Sequence, residues 1–494
     1  MLQETPWVLD ASNEQERKKR IALLFELSKM ERELDKALNK LEKMQVSNGG
    51  WSWFPGMPES RYITQHIVSG MGHLDNLAVR DIRENKRIWS MVVKAVNYLD
   101  ERILEDYKEI IRIDPDFRTK QHIGADHIQY LYARSFFKEI PLGSDKREEA
   151  VAYFRQQAKE YWKNFNIYSE GMIALQAHRS GDSELSNMVM SSLKERAIEH
   201  EELGTYWKDN TVGYYWYQAP IETQALMIEA FDEITSDLRM VEDLKVWLLK
   251  QKQAADWKTT KATAEACYAL LLRGTELLTV TEPVEIKMAG KVIDPKERSA
   301  KVEAGTGYFK TSWSGEEIKP EMGSITVTRK NEGVSWGAVY WQYFEDLDKI
   351  TTHETPLKLS KKLFLVVNTE SGPVITPISD ETALKPGDKV RVRIELRSDR
   401  DMEYIHMRDM RASGFEPVNV FSQYKWQDGL GYYESTGDAA TNFFMDYLRK
   451  GTYVFEYDVR VTHQGDFSNG ITTIQCMYAP EFTSHSEGIR VKVD

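Results

Sequence analysis

The run Gln45-Val46-Ser47-Asn48-Gly49-Gly50-Trp51-Ser52-Trp53-Phe54 decides how this chain reads. Ahead of it Ile21, Leu24, Phe25, Leu27, Leu34, Leu38 and Leu41 recur near a 3.6-residue period between charged positions, which predicts an amphipathic helix. Gly49-Gly50 ends that pattern, three large aromatics follow at once, and an apolar helix begins near Tyr62. A weaker copy lies 206 residues on, where Gln251 precedes Trp257 by the same six positions. There Thr259-Thr260-Lys261-Ala262-Thr263-Ala264 leads into Ala269-Leu270-Leu271-Leu272. Helix, aromatic turn, helix is the punctuation of stacked helical hairpins.

Outward from these turns the helical period continues, with helices predicted at 62–79, 86–111, 125–137, 148–161, 169–179, 184–200, 220–234, 238–251 and 261–273. Asp182 and Ser183 can cap one start, Asp114-Pro115-Asp116 stops another helix, and Gly274 can close the last. Glu199-His200-Glu201-Glu202 reads as a solvated helix end. Polar or aromatic turns recur about every fifty residues, and Trp51 to Trp207 (156) spans three such units. Repeats of that kind stack into a ring or solenoid, so the expected fold of 1–278 is an α/α toroid. Near Thr279 the character changes to Gly, Pro and period-2 alternation. Lys389-Val390-Arg391-Val392-Arg393-Ile394-Glu395-Leu396 after a Pro-Gly-Asp turn, Tyr453 to Val461, and Ile489-Arg490-Val491-Lys492-Val493 predict antiparallel β-sandwich strands. The fold class is thus α + β and multidomain, with a smaller β region at 279–350 and a larger one at 351–494.

Composition excludes several classes. No apolar run approaches the ~18–20 residues that cross a bilayer. The net charge of −12 argues against a nucleic-acid partner. Met1-Leu2-Gln3-Glu4-Thr5-Pro6 lacks the basic and apolar regions of a signal peptide, as a fragment would. Cys267 and Cys476 read as two buried free thiols, too few for a disulfide framework or a zinc set.

Neither metal nor cofactor is expected, since no His-Glu-x-x-His, Gly-x-Ser-x-Gly or phosphate loop occurs. His66 and His73 would share one helix face and fall short of the three or four ligands that zinc requires. His122 and His127 flank a turn on the side where a toroid's site would lie, and are weak functional candidates. The aromatics Trp51, Trp53, Phe54, Tyr206, Trp207, Tyr214, Tyr215, Trp216, Tyr217 and Trp257 gather at predicted hairpin tips with Lys208, Asp209, Lys258 and Lys261. Large rings there either clamp one hairpin to the next or line a ligand groove.

Gln45-x-x-x-Gly49-x-Trp51 matches the repeat motif of terpenoid-cyclase-like toroids, but the aspartate motifs of those cyclases are missing. A longer resemblance runs through Asn48 to Gly56 with Tyr62-Ile63-Thr64-Gln65-His66-Ile67, Tyr206-Trp207-Lys208-Asp209 with Ala219 to Leu226, and Trp257 to Thr263. Together these segments resemble the thioester-containing helical domain of bacterial α2-macroglobulins. Arg408 to Pro417, Gly451-Thr452-Tyr453 and Met477-Tyr478-Ala479-Pro480-Glu481 look like that family's C-terminal macroglobulin (receptor-binding-like) domain. The resemblance implies that 279–350 is the later part of a CUB-like domain.

It also implies a protease trap whose Cys–Gln thioester, in a Cys-x-Glu-Gln motif, acylates the captured protease. Neither cysteine here is followed by x-Glu-Gln. The motif is expected upstream of Met1, so the chain reads as a C-terminal fragment, not itself an enzyme. Proteases would then be the partners of a parent molecule, exported to the periplasm and membrane-anchored through its missing N-terminus; a monomer is expected. The tip aromatics would shield the thioester by facing the 351–494 domain. The alternatives are a toroid carbohydrate-active lyase or hydrolase with an accessory β-sandwich, and an adhesion or interaction module.

Overall fold

Capping residues start most of the helices. Ser60, Asn85, Ser144, Asn166, Asp182 and Thr259 each accept a main-chain N–H of the first turn, which satisfies a donor that the helix leaves unpaired. The computed structural model describes residues 27–78, 82–254, 257–272, 284–295, 297–298, 300, 308–329, 337–370, 372–379 and 382–494. Ile21, Leu24, Phe25, Gly274, the Thr279 boundary and the segment Met1 to Pro6 lie outside them.

The helices are α1 (Leu27–Met44), α2 (Arg61–Asn76), α3 (Lys86–Ile113), α4 (Ala125–Ser135), α5 (Asp145–Tyr161), α6 (Ile167–Ser180), α7 (Ser183–Arg196), α8 (Pro220–Ala230), α9 (Leu238–Ala254) and α10 (Thr260–Leu271). They match the periodicity closely, with one correction. The helix expected to reach residue 200 ends at Arg196, and Ile198–His200 instead pairs with Gly204–Tyr206 as a short hairpin, β3 and β4. Glu199 and His200 are therefore strand residues, turned back by Gly204 at φ 72°. Two-residue strands β1 (Trp51–Ser52) and β2 (Glu59–Ser60) pair in the loop before α2.

Contacts divide the chain into two units, Met1–Leu248 with Trp257–Ser335 and Leu249–Asp256 with Trp336–Asp494. In the first, the even-numbered helices form an inner set in which α2 packs on α4, α4 on α6, α6 on α8 and α8 on α10. Inner helices are buried nearly all round: every residue from Ile167 to Ala177 and from Glu222 to Ala230 is inaccessible. Outer helices such as α3 carry one apolar stripe, from Ile88 through Met91, Ala95, Leu99 and Ile103 to Ile110. Small residues let the inner helices approach. A Cβ on Gly72 would strike Phe136, and one on Gly171 would strike Met227.

Each hairpin turn is tied to the outer helix that follows it. Gln45 Nε2 donates to Gly49 O within the turn (3.0 Å) and to Met91 O of α3 (2.9 Å). Gln224 Nε2 repeats this with Thr205 O (2.8 Å) and Leu244 O of α9 (3.1 Å). Gly49 and Gly204 both adopt positive φ and abut the carbonyls of Lys94 and Asp243 on those same helices, where a Cβ would not fit. The indoles of Trp51 and Trp207 complete each clamp, donating to Leu41 O and Leu193 O (both 2.8 Å), the fourth carbonyl from the end of α1 and of α7.

Also in this unit, β5 (Glu285–Met288), β6 (Lys291–Val292) and β7 (Ile325–Thr328) form a small sheet in the order β6-β5-β7. The second unit is a β-sandwich. One sheet contains β8 (Leu357–Thr369), β9 (Gly372–Pro377), β11 (Lys389–Ser398), β13 (Phe415–Pro417) and β17 (Gly451–Val461) in the order β13-β17-β11-β8-β9. The other orders β14 (Gln423–Gln427), β15 (Leu430–Thr436), β16 (Ala440–Leu448), β12 (Met402–Met410), β19 (Thr472–Cys476) and β20 (Ala479–His485) as β14-β15-β16-β12-β19-β20. A third, smaller sheet joins β10 (Ala383–Leu384), β21 (Ile489–Val493) and β18 (Gly465–Gly470). Val390, Val392, Ile394 and Leu396 alternate inward as expected and meet Ile405, Met407, Phe443 and Ile474. Inside this apolar layer Lys361 and Asp409 form a fully buried ion pair at 2.7 Å, with Tyr457 and Thr472 also donating to the carboxylate.

Replacing Gln224 with Leu leaves two buried carbonyls without their donor and is expected to cost about 2–4 kcal/mol. Urea unfolding followed by tryptophan fluorescence measures it; a loss below about 0.5 kcal/mol contradicts the clamp.

Candidate functional site

The N-terminal ends of the inner helices bring together side chains far apart in sequence. Tyr62 is the second residue of α2, Tyr168 of α6 and Lys261 of α10, while Glu222 is the third of α8. Aromatic rings join them into one rim. Trp53 stacks on Tyr62 (5.9 Å), Tyr62 meets Trp216 (5.2 Å), and Trp216 meets Tyr168 (6.1 Å) and Tyr217 (5.5 Å). Tyr217 stacks on Tyr215 (5.3 Å), which meets Tyr214 (5.6 Å). The outer members are open to solvent, with Trp53 56%, Phe54 64%, Tyr215 56% and Tyr214 96% exposed.

At the inner edge of the rim, Lys261 Nζ lies 5.8 Å from the ring of Tyr62 and 5.6 Å from those of Tyr168 and Trp216, with Glu222 at 4.0 Å. Burial works against this ammonium, but the surrounding Tyr168, Tyr62, Glu222 and Glu265 outweigh it and raise its pKa. A cation held against ring faces away from water is worth about 2 kcal/mol per strong contact.

Below the rim the same helices enclose a hydrogen-bonded series. Tyr132 OH donates to Glu229 Oε2 (2.6 Å), so the contact between Tyr132 OH and His73 Nε2 (2.8 Å) has the imidazole as donor. That fixes the tautomer and leaves His73 Nδ1 as an acceptor, 3.5 Å from Glu265 Oε2. Burial, opposed by Lys261 and reinforced by Glu229 and Glu222, pushes the Glu265 carboxyl up to about 8, so it keeps its proton at neutral pH, facing the Nδ1 lone pair. Glu229 is charge-compensated by Arg179 (2.7 Å), which also pairs with Glu233 (2.5 Å), and it accepts from Tyr268 OH (3.1 Å). Tyr268 lies flat on His73 at 3.8 Å, and His66 Nδ1 is 4.0 Å from Glu265 Oε1. Among the described residues no group of three or more His, Cys, Asp or Glu side chains is arranged to hold a metal ion.

Residues 357–481, nearly all of the sandwich, match the family model described as the bacterial alpha-2-macroglobulin MG10 domain. An α2-macroglobulin homolog of Nostoc sp. (strain PCC 7120 / SAG 25.82 / UTEX 2576) is 22% identical over 473 residues, covering 90% of this chain. The chain carries a bacterial α2-macroglobulin MG10 domain.

It spans 23% of the length of the Nostoc α2-macroglobulin homolog. Circularly permutated Ras protein 2 of Dictyostelium discoideum is 21% identical over 396 residues, 71% of this chain and 9% of its own length. Trypsin-activated α2-macroglobulin from Escherichia coli superposes with a TM-score of 0.42 at 11% identity, over 92% of this chain and 29% of that one.

In the helical unit the aromatics named from sequence divide into two groups. Trp51, Trp207 and Trp257 are buried braces; the last donates to Leu248 O at 3.4 Å. Tyr206 stacks on Trp247. Trp53, Phe54, Tyr215 and Trp216 belong to the rim or its edge, whereas Asp209 and Lys258 are exposed, Lys258 in a turn at φ 55°. His127 and His122 form ion pairs with Asp106 (3.1 Å) and Asp114 (3.0 Å). Gly124 N–H donates to His127 Nδ1 (2.9 Å), so its Nε2 bears the hydrogen given to Asp106. Sequence reasoning missed Glu222, Glu229, Glu265 and Arg179. Their signal was present: Lys261, Glu265 and Tyr268 fall at i, i+4 and i+7, as do Glu222 with Glu229 and His66 with His73 at i, i+7, one polar line along otherwise apolar helices.

Burial lowers His73 to about 3 and His66 to about 4, from an ordinary 6.5. Both are neutral in the fold and gain protons in the unfolded chain below pH 6.5. Their contribution is therefore complete above pH 6.5 and is lost as pH falls toward 4 and then 3, by about 1.4 kcal/mol per pH unit for each group. His73→Gln removes one of the two, so the stability lost between pH 6.5 and 5 should shrink by about 1–2 kcal/mol in urea unfolding. An unchanged pH slope would contradict the neutral, buried imidazole.

Proposed function

We propose that this chain is the C-terminal portion of a bacterial α2-macroglobulin-type protease-trapping inhibitor. On this reading 1–278 is the α/α toroid of the thioester-domain type, 279–350 the later part of a CUB-like domain and 351–494 the C-terminal macroglobulin domain. The observation that carries it is the MG10 match at 357–481, in a chain whose preceding half is built of helical hairpins. The run of inner-helix contacts from α2 to α10, with His73 of α2 stacked on Tyr268 of α10, supports closure into a toroid.

The aromatic rim is the proposed domain-contact surface. Trp53, Phe54, Tyr214 and Tyr215 expose large rings side by side, as surfaces that meet a partner do. In the family such rings keep a reactive acyl group dry until the molecule is cleaved. Neither Cys267 nor Cys476 stands in a Cys-x-Glu-Gln motif, so this chain contributes the scaffold and shield and does not supply the acylating group. Proteases are the proposed targets of the whole molecule, and an exported, periplasmic site is the proposed location. Among the described residues no helix is long and apolar enough to cross a membrane.

The test is a trapping assay on the whole protein that contains this chain. Trypsin or elastase is titrated with it, and cleavage of a small chromogenic peptide is compared with cleavage of casein. A trap spares the peptide reaction and suppresses casein cleavage at least fivefold near one-to-one stoichiometry. Equal casein cleavage at tenfold excess of the protein sinks the proposal.

A further inference from the structure

The inner helices are not joined alike around the unit. From α2 through α4, α6 and α8 to α10, neighbours meet at close backbone approach, aided by Gly72, Gly171, Ala225 and Ala266. Among the described residues α2 and α10 make no comparable approach. Long side chains span that seam instead: His66, His73 and Asn76 from α2, Glu265 and Tyr268 from α10. Asn76 Nδ2 donates to Tyr268 OH at 3.3 Å, and the His73–Tyr268 stack supplies the apolar contact.

We propose that the α2–α10 seam is a proton-operated clasp: one proton between Glu265 and His73 holds the first inner helix to the last, and its loss lets them part. The hydrogen-bond order gives the mechanism. Tyr132 spends its hydrogen on Glu229, His73 spends its Nε2 hydrogen on Tyr132, and Nδ1 has only a lone pair to offer Glu265. A protonated Glu265 donates into that lone pair. An ionised Glu265 sets carboxylate against lone pair across the seam and gains no donor there.

Every element packed around Glu265 bears on this. His66 and His73 face it from α2, Tyr132 from α4, Tyr168 from α6, Glu222 and Glu229 from α8, and Lys261 and Tyr268 from α10 itself, while Arg179 of α6 and Glu233 after α8 lie beyond Glu229. Of the two cations, Arg179 is shared by Glu229 and Glu233, and Lys261 is held by Glu222 and the aromatic cage. Glu222 and Glu229 both disfavour a third carboxylate beside them, and burial adds to this, raising Glu265 to about 8. A carboxyl raised from 4.5 in this way keeps its proton at neutral pH, but the stability the clasp adds is complete only below about 4.5 and falls as pH rises, the last of it between about 6.5 and 8. The two imidazoles stay neutral across that window and do not offset the change.

Amide hydrogen exchange of the full chain between pH 7 and 9, normalised to intrinsic rates, reads the clasp directly. Protection in peptides covering 61–76 and 260–271 should fall about tenfold, while 145–161 of the outer layer changes less than threefold. Glu265→Gln keeps the side chain's shape without its charge and should hold seam protection to pH 9. The wild-type profile stands even if that variant folds poorly. Seam peptides that stay protected at pH 9, outer helices that open with them, or a Glu265→Gln profile that follows wild type would each overturn the proposal.

Discussion

A glutamine amide that donates to two main-chain carbonyls at once is the constraint on which the helical unit depends. Gln45 ties the Gly49 carbonyl to Met91 of α3, and Gln224 ties Thr205 to Leu244 of α9. Each bond pair joins a turn to the outer helix behind it, so the inner helix that follows emerges in a set direction. The turn must also lie flat against that helix, which is why glycine stands at 49 and 204 with positive φ. Trp51 and Trp207 then fill the space beneath and anchor the preceding helix by its last turn. None of these bonds is strong alone. Together they exclude the alternative angles at which a helical hairpin can leave its turn.

Directing the inner helices inward has a consequence for their polar residues. A helix buried on every side has no solvent face, so Glu229, Glu265, His73, Tyr132 and Arg179 must satisfy one another. They do so as a connected series, with Glu229 paired to Arg179 and Glu265 held protonated by burial. The helix N-termini point the other way, and there the same helices end in rings around Lys261. One fold thus carries two chemically different layers: an aromatic rim open to solvent and a sealed polar series beneath it.

Much of the fold was legible in sequence because periodicity and caps are local. The boundaries of α2, α3, α4 and α10 follow from apolar spacing, and Asp182 caps α7 as its side chain suggests. The hairpin at Ile198–Tyr206 was not legible, because Glu199-His200-Glu201-Glu202 has no strand period and only the positive φ of Gly204 reverses it. The second clamp was also misplaced. Spacing pointed to Gln251 and Trp257, whereas the amide that repeats the role of Gln45 is Gln224, after its tryptophan in sequence. Hydrogen-bond equivalence is set in space, and spacing along the chain tracks it only when both partners precede the same helix. The rim was half legible for a related reason. Its tryptophans and Lys261 announced themselves in turns, but Tyr62 and Tyr168 read as ordinary first-turn residues until the helix ends converge.

The two layers also separate two demands on such a unit. The exposed rings lie on loops such as 52–58 and 211–219, where exposure costs the core nothing. The polar series faces the opposite demand. A buried ionic cluster that lost one partner would leave a charge without solvent, a penalty of about 3–5 kcal/mol, so it lies sealed among the inner helices. Placing Lys261 between the layers joins them: its ammonium touches the rings of Tyr62 and Trp216 above and sets the field felt by Glu265 below.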